Sequence, residues 1–313
     1  MEKPVLAIIT PCFNEEEIIE KSYFELSSVL KTLIEQKKIS SDSYVCFVDN
    51  GSSDKTWELI SEVAKNKDAK GLKLSRNFGH QASQLAGLTQ SEADIFITID
   101  ADLQDDTNTI TEMVDKYLEG NEIVYGVRSD RSSDNFLKRH ISQFYYKLAQ
   151  FLGVNGIYNH ADFRLMSKKI VNILKELKEC NVYLRGLIPS LGFKSACVYF
   201  SRKKRIAGES KYNFFSLLAL AIDGITSFSV KPLRLITALG FICFFVAILM
   251  SVYSIISYFS EKIISGWTSL FISIYFLGGI QLLSVGIIGE YIGKIYKETK
   301  QRPRFIVEES LND

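Results

Sequence analysis

Two long runs without a charged residue constrain the fold of this chain more than any other feature. Between Leu235 and Ser260, and again between Ile263 and Gly289, the sequence contains no Asp, Glu, Lys or Arg. A helix needs about 20 apolar residues to cross a hydrocarbon core of about 30 Å, so each run is long enough to span a bilayer. Two core helices of a soluble domain are the alternative, but two such runs in succession favour a pair of transmembrane helices joined by a short loop.

The cations around the two runs predict the orientation of this hairpin. Lys231 and Arg234 precede the first run, and Lys262 lies between the runs. Further cations follow the second run: Lys294, Lys297, Lys300, Arg302 and Arg304. Because Lys and Arg accumulate on the cytoplasmic side, we expect a multi-pass protein of the cytoplasmic (inner) membrane with most of the chain in the cytoplasm.

Composition argues against several other classes of protein. The 313 residues include 37 basic and 36 acidic side chains, and a net charge of +1 gives no reason to expect a nucleic-acid partner. The five cysteines lack the spacing of a zinc ribbon or a disulfide framework. Small residues in the second uncharged run, among them Gly278, Gly279 and Gly286, would allow close helix packing and so permit a homo-oligomer.

The first 130 residues alternate between short apolar runs and stretches with helical periodicity. The predicted strands are Val5–Ile9, Tyr44–Val48, Leu72–Leu74, Ile95–Ile99 and Glu122–Val127. The predicted helices are Glu15–Glu35, Thr56–Lys65, Gly79–Thr89 and Asn108–Leu118. This order is typical of an α/β fold in which right-handed crossovers build a mainly parallel sheet. Ligands of such sheets bind beyond the carboxyl ends of the strands.

Polar residues follow each of these strands, and the pair Asp100 and Asp102 has the clearest chemistry. Two carboxylates spaced i, i+2 after a buried strand can ligate a divalent cation, and Mg²⁺ typically takes one or two carboxylates together with substrate phosphates. The segment Asp49–Asp54, after the second strand, is open to a simpler interpretation as a capped turn. The sequence has neither a P-loop nor a dinucleotide-binding glycine motif.

Taken together, these segments resemble a known family. They are PCFNEE at 11–16, VDNGSSD at 48–54, SRNFGHQAS at 75–83, DADLQ at 100–104, GVRSDR at 126–131, ADFRLMS at 161–167, RIAGESKY at 205–212 and GEYIGKIYKETKQRPRF at 289–305. The chain resembles the membrane-bound family-2 glycosyltransferases that transfer a sugar to a polyprenyl phosphate. These are the bactoprenol-phosphate glucosyltransferases and, more distantly, the dolichyl-phosphate mannose synthases.

The resemblance implies three parts. Residues 1–212 would form a cytoplasmic, Rossmann-like nucleotide-sugar domain of the GT-A type. Residues 213–232 are apolar with few charges, and we expect them to form an amphipathic helix in the membrane interface. Residues 233–313 would form the two-helix transmembrane hairpin and a cytoplasmic C-terminal tail.

The resemblance also implies a donor site for a nucleotide diphosphate sugar. Its residues would be Pro11, Phe13, Glu15, Asp49, Arg76 and Asp100. Asp100 and Asp102, with Gln104, would hold Mg²⁺ or Mn²⁺, which neutralises the charge of the departing diphosphate. Two positions depart from the family pattern. The family usually has an acid where this chain has Asn50, so any role of that acid does not carry over, and it usually has a proline where this chain has Asp105-Asp106.

The acceptor implied by the resemblance is a polyprenyl phosphate, an anionic lipid. Cations must offset its repulsion from the donor, and the candidates are Arg128, Arg131, Arg205 and Lys211, with Ser210. A basic cluster at 202–205 is open to a second interpretation, contact with anionic headgroups. Asp162 matches the acid that the family places near the reacting centre, so it and Asp102 are the catalytic candidates. The alternative for Asp162 is a structural carboxylate paired with Arg164.

The expected reaction is an inverting transfer of a hexose, with UDP-glucose as donor and undecaprenyl phosphate as acceptor, in the modification of a cell-envelope glycan. The alternatives are another donor, such as a UDP-N-acetylhexosamine, a modified sugar or GDP-mannose, or a non-catalytic membrane protein that binds nucleotide sugars. A processive polysaccharide synthase would need more spans and a Gln-x-x-Arg-Trp motif, and neither Trp57 nor Trp267 lies in one.

Overall fold

The computed structural model describes residues 3–129, 160–179, 183–201, 230–259 and 266–312. The chain divides into two compact units. The described residues up to 201 form the first unit together with 301–312, and residues 230–259 and 266–300 belong to the second.

The first unit contains eight described strands and six described helices. The strands are β1 (Leu6–Cys12), β2 (Tyr44–Asp49), β3 (Ala69–Leu74), β4 (Ile95–Thr98), β5 (Ile123–Arg128), β6 (His160–Ser167), β7 (Ser195–Phe200) and β8 (Val307–Leu311). The helices are α1 (Ile19–Glu35), α2 (Thr56–Val63), α3 (His80–Gln90), α4 (Thr109–Leu118), α5 (Lys168–Glu176) and α6 (Leu184–Ser190).

These strands form one mixed sheet in the order β7-β5-β6-β4-β1-β2-β3-β8. The pairs β1/β2, β1/β4, β2/β3 and β5/β7 are parallel, whereas β6 runs antiparallel to β4 and β5 and β8 runs antiparallel to β3. The carboxyl ends of β1, β2, β3 and β4 therefore meet at one edge of the sheet.

Helices cover both faces of the sheet, which is why β1, β2 and β4 are buried at every position. Successive side chains of a strand point to opposite faces. Leu6 and Ile8 pack with Leu26 and other residues of α1 on one face, and Ile9 packs with Leu85 of α3 on the other. Strand β1 is buried at every position. This two-sided cover fixes the register of the strands whose ends form the site.

The predicted mainly parallel α/β sheet is confirmed, and three further strands belong to it: β6 inside the sheet, and β7 and β8 at its two edges. Each of the five predicted strands and four predicted helices occurs with bounds shifted by a few residues. The antiparallel strands β6 and β8 were not predicted. Part of the expected cytoplasmic tail is strand β8, in the same sheet as the nucleotide motifs. The boundary placed at residue 212 lies outside the described residues.

The second unit contains two long described helices, α7 (Lys231–Phe259) and α8 (Trp267–Thr299). Both uncharged runs are thus largely helical. Among the described residues, one segment, Phe276–Thr299, is long and apolar enough to cross a membrane. A pair of spans therefore stays a prediction. Most of the expected interfacial helix at 213–232 lies outside the described residues.

Candidate active site

Asp49 ends β2 at the carboxyl edge of the sheet and is completely buried. Its Oδ1 accepts a hydrogen bond from the backbone N–H of Ser52 at 3.1 Å. Within the part of the chain that the structure describes, Oδ2 accepts none. Burial raises the pKa of Asp49, while the hydrogen bonds from Ser52 and the charge of Lys73 act in the opposite direction. The end of β2 therefore holds a buried carboxylate oxygen that accepts no hydrogen bond from the described residues.

The loop after β1 is locked to the loop after β2. The backbone N–H of Asn14, a residue with φ of 52°, donates to Ser52 Oγ at 2.9 Å. The Asn14 side chain accepts from the backbone N–H of Ser53 at 2.9 Å, and the N–H of Glu15 donates to Thr56 Oγ1. Pro11, Phe13 and Glu15, expected at the donor site, thus lie in a segment fixed against the segment that contains Asp49.

Asn50, where the family pattern has an acid, joins the loop after β2 to the loop after β3. Its Nδ2 donates to Asn77 Oδ1 at 3.1 Å, and its Oδ1 accepts from the N–H of Phe78 at 3.0 Å. A carboxylate could make only the second bond because it has no proton to donate. Beside this link, the Arg76 guanidinium lies 3.9 Å from the centre of the Phe78 ring. The departure at Asn50 therefore supports the loop that holds Arg76.

Asp100 and Asp102 follow β4 at the same edge. Asp102 Oδ1 accepts the backbone N–H of Gln104 at 3.1 Å, and Asp100 Oδ1 lies 3.4 Å from His80 Nε2. Burial raises the pKa of Asp100; His80 opposes the shift, and the charges of Asp162 and Asp102 add to it. No group of three or more His, Cys, Asp or Glu side chains in metal-binding geometry occurs among the described residues. Two clustered carboxylates still fit Mg²⁺ or Mn²⁺, because a nucleotide diphosphate supplies the other oxygen ligands.

Asp162, on β6, is held by two arginines. Arg164 Nη2 lies 2.6 Å from Asp162 Oδ1, so the pairing that the sequence offered as an alternative is present. Arg185, on α6, donates through Nε to Oδ1 at 2.9 Å and through Nη2 to Oδ2 at 2.7 Å. Burial alone would raise the pKa of Asp162, but Arg185, Arg164 and His80 hold it well below its usual range. Asp162 is therefore an ionised, oriented carboxylate.

The backbone at Asp162 is fixed from the neighbouring strand. Thr98 Oγ1, on β4, donates to the carbonyl oxygen of Asp162 at 2.6 Å, and Thr98 pairs with Arg164 in the antiparallel register. Arg164 is completely buried and also donates through Nη1 to the carbonyl of Leu184 at 3.2 Å. The antiparallel insertion of β6 beside β4 is thus what brings Asp162 next to the end of β4.

Three further residues belong to this cluster, and two of them, Gln81 and Arg185, had no role predicted from the sequence. His80 lies 3.4 Å from Asp100 and 3.7 Å from Asp162, and Gln81 Nε2 donates to Asp162 Oδ1 at 3.3 Å. The SRNFGHQAS segment placed His80 near the donor, but no local signal could have found Arg185. Its partner is 23 residues away in sequence, on another element.

The acceptor candidates are only partly described. Arg128 ends β5, and its Nη2 lies 3.5 Å from Oδ1 of the buried Asp105. Asp105, the second departure from the family pattern, is thus a counter-ion for one predicted phosphate ligand. Arg131, Arg205, Ser210 and Lys211 lie outside the described residues, so their predicted role stays a prediction.

Comparison with known proteins assigns the family. The profile of Glycosyl transferase family 2 matches residues 7–174, and the profile named GtrB C-terminal hairpin matches residues 231–295. The uncharacterized glycosyltransferase YkoT of Bacillus subtilis (strain 168) is 49% identical over 312 residues, which cover 99% of this chain and 93% of that protein. The prophage bactoprenol glucosyl transferase homolog of Escherichia coli (strain K12) is 38% identical over 306 residues, 96% of this chain and 98% of that protein.

A phage protein and a solved structure complete the comparison. The bactoprenol glucosyl transferase of Shigella phage SfX is 38% identical over 307 residues, 96% of this chain and 98% of that protein. The crystal structure of glucosyl-3-phosphoglycerate synthase from Mycobacterium tuberculosis is similar with a TM-score of 0.46 at 16% identity, covering 72% of this chain and 79% of that one. Because one family profile covers more than half of the chain and relatives align along nearly its whole length, the protein belongs to glycosyl transferase family 2 and has a GT-A-like α/β fold.

Proposed function

We propose that the protein transfers glucose from UDP-glucose to undecaprenyl phosphate and inverts the anomeric carbon. The observation that carries the proposal is that one chain combines three features. The carboxylate cluster at the sheet edge lies in the family 2 domain, the hairpin profile follows it, and proteins named bactoprenol glucosyl transferase align with 96–97% of the chain. The relatives' substrate is thus the first candidate for this chain.

The nucleotide would bind at the ends of β1 and β2. The buried Oδ2 of Asp49 is an acceptor that an N–H of the base would satisfy, and such a bond would offset the desolvation of this carboxylate. Arg76, held against Phe78 in the loop after β3, is the cation that the resemblance assigns to the diphosphate. Hydrogen bonds join the loop after β2 to the loops after β1 and β3, and they would keep the donor site formed before the donor arrives.

Asp100 and Asp102, together with Gln104, would hold a divalent cation. When bound, it neutralises the charge that builds up on the departing diphosphate. The chain's own contribution is to keep two carboxylates at the end of a buried strand, where burial and then the charges of Asp162 and Asp102 raise the pKa of Asp100.

Asp162 would act as a fixed negative charge in the site. A carboxylate with so low a pKa is a poor proton acceptor. The proposed acceptor needs no strong base, because the second pKa of a phosphate monoester is about 6 and the group is largely dianionic at neutral pH. The paired arginines of Asp162 therefore suit a phosphate acceptor better than a hydroxyl acceptor.

The hairpin would anchor the protein in the membrane that contains its proposed lipid acceptor. Two helices of 29 and 33 residues, α7 and α8, are each long enough to cross a bilayer at 1.5 Å per residue. The flanking Lys and Arg residues favour a multi-pass protein with its catalytic unit in the cytoplasm, where nucleotide sugars are made.

A donor panel tests the proposal. The full-length protein in detergent is given undecaprenyl phosphate, Mg²⁺ and radiolabelled UDP-glucose, UDP-N-acetylglucosamine or GDP-mannose, and label in the organic phase is counted. We expect transfer from UDP-glucose to exceed transfer from the others. A preference for another sugar would replace the donor and keep the reaction, whereas binding of nucleotide sugars without transfer would indicate a non-catalytic binding protein.

A further inference from the structure

We propose that Arg185 is a positioning residue for the transfer reaction: its guanidinium fork spans both oxygens of the Asp162 carboxylate and fixes that carboxylate in the site. The inference rests on the proposed function, since it concerns how Asp162 serves the transfer. Arg185 lies on α6, in a part of the chain beyond the family 2 match at 7–174.

The geometry is that of a two-point clamp. Nε and Nη2 donate along the same edge of the guanidinium to Oδ1 and Oδ2, at 2.9 and 2.7 Å. Two parallel bonds fix the plane of the carboxylate as well as its distance, which a single bond cannot do. The carboxylate side chain is only 8% exposed, so solvent competes little for these bonds.

Gln81 connects helix α6 to the site. The Gln81 Oε1 accepts a hydrogen bond from the backbone N–H of Leu184 at 3.1 Å, while the Gln81 Nε2 donates to Asp162 Oδ1 at 3.3 Å. Gln81 is the second residue of α3, directly after His80. The hydrogen bonds of Arg185 and Gln81 thus connect β6, α3 and α6 at the Asp162 carboxylate.

Arg164 and Arg185 make different contributions to Asp162. Arg164 is completely buried, donates only to Oδ1 of the Asp162 carboxylate, and also donates to the carbonyl of Leu184. Its role is therefore partly to stabilise the buried interior of the domain. The Arg185 side chain is 35% exposed and engages both oxygens. Truncating Arg185 therefore releases the orientation of the carboxylate and leaves one buried cation to neutralise it.

The experiment compares Arg185→Ala and Arg185→Lys with a matched control in the full-length protein. Lys175→Ala is the control because the Lys175 side chain is 34% exposed and lies 3.7 Å from the exposed carboxylate of Glu92. We measure kcat, acceptor KM, binding of UDP-glucose without acceptor, and the melting temperature. Arg185→Ala should lower kcat by about tenfold or more, the effect of losing hydrogen bonds to a charged group. Donor affinity should stay within about twofold of the original, and the control should leave all values unchanged.

The split between kcat and the binding constants is the readout that a purely structural role would not move. Without Arg185, Asp162 keeps the buried Arg164 as its counter-ion but loses its two-point orientation, so kcat should fall while acceptor KM and donor affinity stay close to those of the original protein. Arg185→Lys keeps the charge without the bidentate geometry, so its kcat should lie between those of Arg185→Ala and the original protein.

The outcomes separate the two proposals. If the unchanged protein transfers no sugar, the proposed function fails and Arg185 is not at issue. If it transfers sugar, and the folded Arg185 variants keep kcat or lose donor affinity and acceptor KM as much as kcat, the positioning role is wrong. A loss of activity that only follows the loss of folded protein would overturn it as well. Arg185→Lys keeps the comparison decisive if Arg185→Ala does not fold.

Discussion

Replacing Gly51 with alanine should lower the free energy of unfolding and weaken donor binding. Two causes contribute: the backbone conformation of Gly51 and the close approach of the neighbouring loop. Gly51 has φ of +74° in the turn after β2, and a side chain in this left-handed region costs about 1–2 kcal/mol. A Cβ at this position would also lie 2.5 Å from the carbonyl carbon of Arg76 and 2.7 Å from the backbone nitrogen of Asn77. These are main-chain atoms, so the contact can be relieved only by moving the loop that holds Arg76.

Gly192→Ala is the matched control. Gly192 has φ of +71°, and nothing lies within 4 Å of its added Cβ. The control should therefore lower the free energy of unfolding by about 1–2 kcal/mol. Gly51→Ala should lower it by that amount plus about 1–3 kcal/mol for overpacking. The difference between the two variants measures the close approach of the two loops.

The assays are denaturant unfolding and equilibrium binding of UDP-glucose, both on the full-length protein in detergent. Gly51→Ala should weaken donor binding because the Arg76 loop must shift, whereas Gly192→Ala should bind as the original protein does. Equal unfolding free energies and equal donor affinities for the two variants would refute the close packing of the β2 and β3 loops.

Two further predictions concern the same unit. Asp49→Asn should abolish most UDP-glucose binding while leaving the free energy of unfolding equal or higher, because the amide avoids the charge desolvation that raises the pKa of Asp49. Isothermal calorimetry measures the binding and thermal melting measures the stability. A loss of stability with normal binding would contradict the prediction. Deleting residues 306–313 removes β8 and leaves β3 as an exposed edge of the sheet. The free energy of unfolding, measured by urea titration, should fall by about 2–4 kcal/mol because backbone hydrogen bonds are lost. An unchanged unfolding midpoint would mean that β8 does not stabilise the sheet.

The sequence predicted the parts of the fold that follow from local patterns. Strands β1 to β5 and helices α1 to α4 follow from the apolar runs and the helical periodicity between them. Because parallel strands end at a common edge, the pattern also predicted that residues after β2 and β4 would share a site. Asp49 and Asp100 lie at that edge of the sheet, as expected.

Long-range pairings could not be predicted from local patterns. Strand β6 inserts antiparallel between β4 and β5 although it follows both in sequence. Strand β8 has the polar sequence VEESL, which gives little strand signal, and it forms because the edge of β3 offers backbone partners. Arg185 contacts Asp162 only because α6 packs beside β6, which no spacing rule encodes. The cluster around Asp162 therefore became visible only in three dimensions.

The proposed function requires the carboxylate cluster at the sheet edge to support sugar transfer to a lipid phosphate. The most direct measurement is the rate at which label passes from UDP-glucose to undecaprenyl phosphate for the original protein, for Asp102→Asn and for Asp42→Asn, an exposed aspartate outside the site. Asp102→Asn should transfer about a hundredfold more slowly, because losing this carboxylate removes several kcal/mol of charge stabilisation, while Asp42→Asn should transfer normally. Equal rates for folded Asp102→Asn and the original protein would contradict the proposed role of this carboxylate cluster.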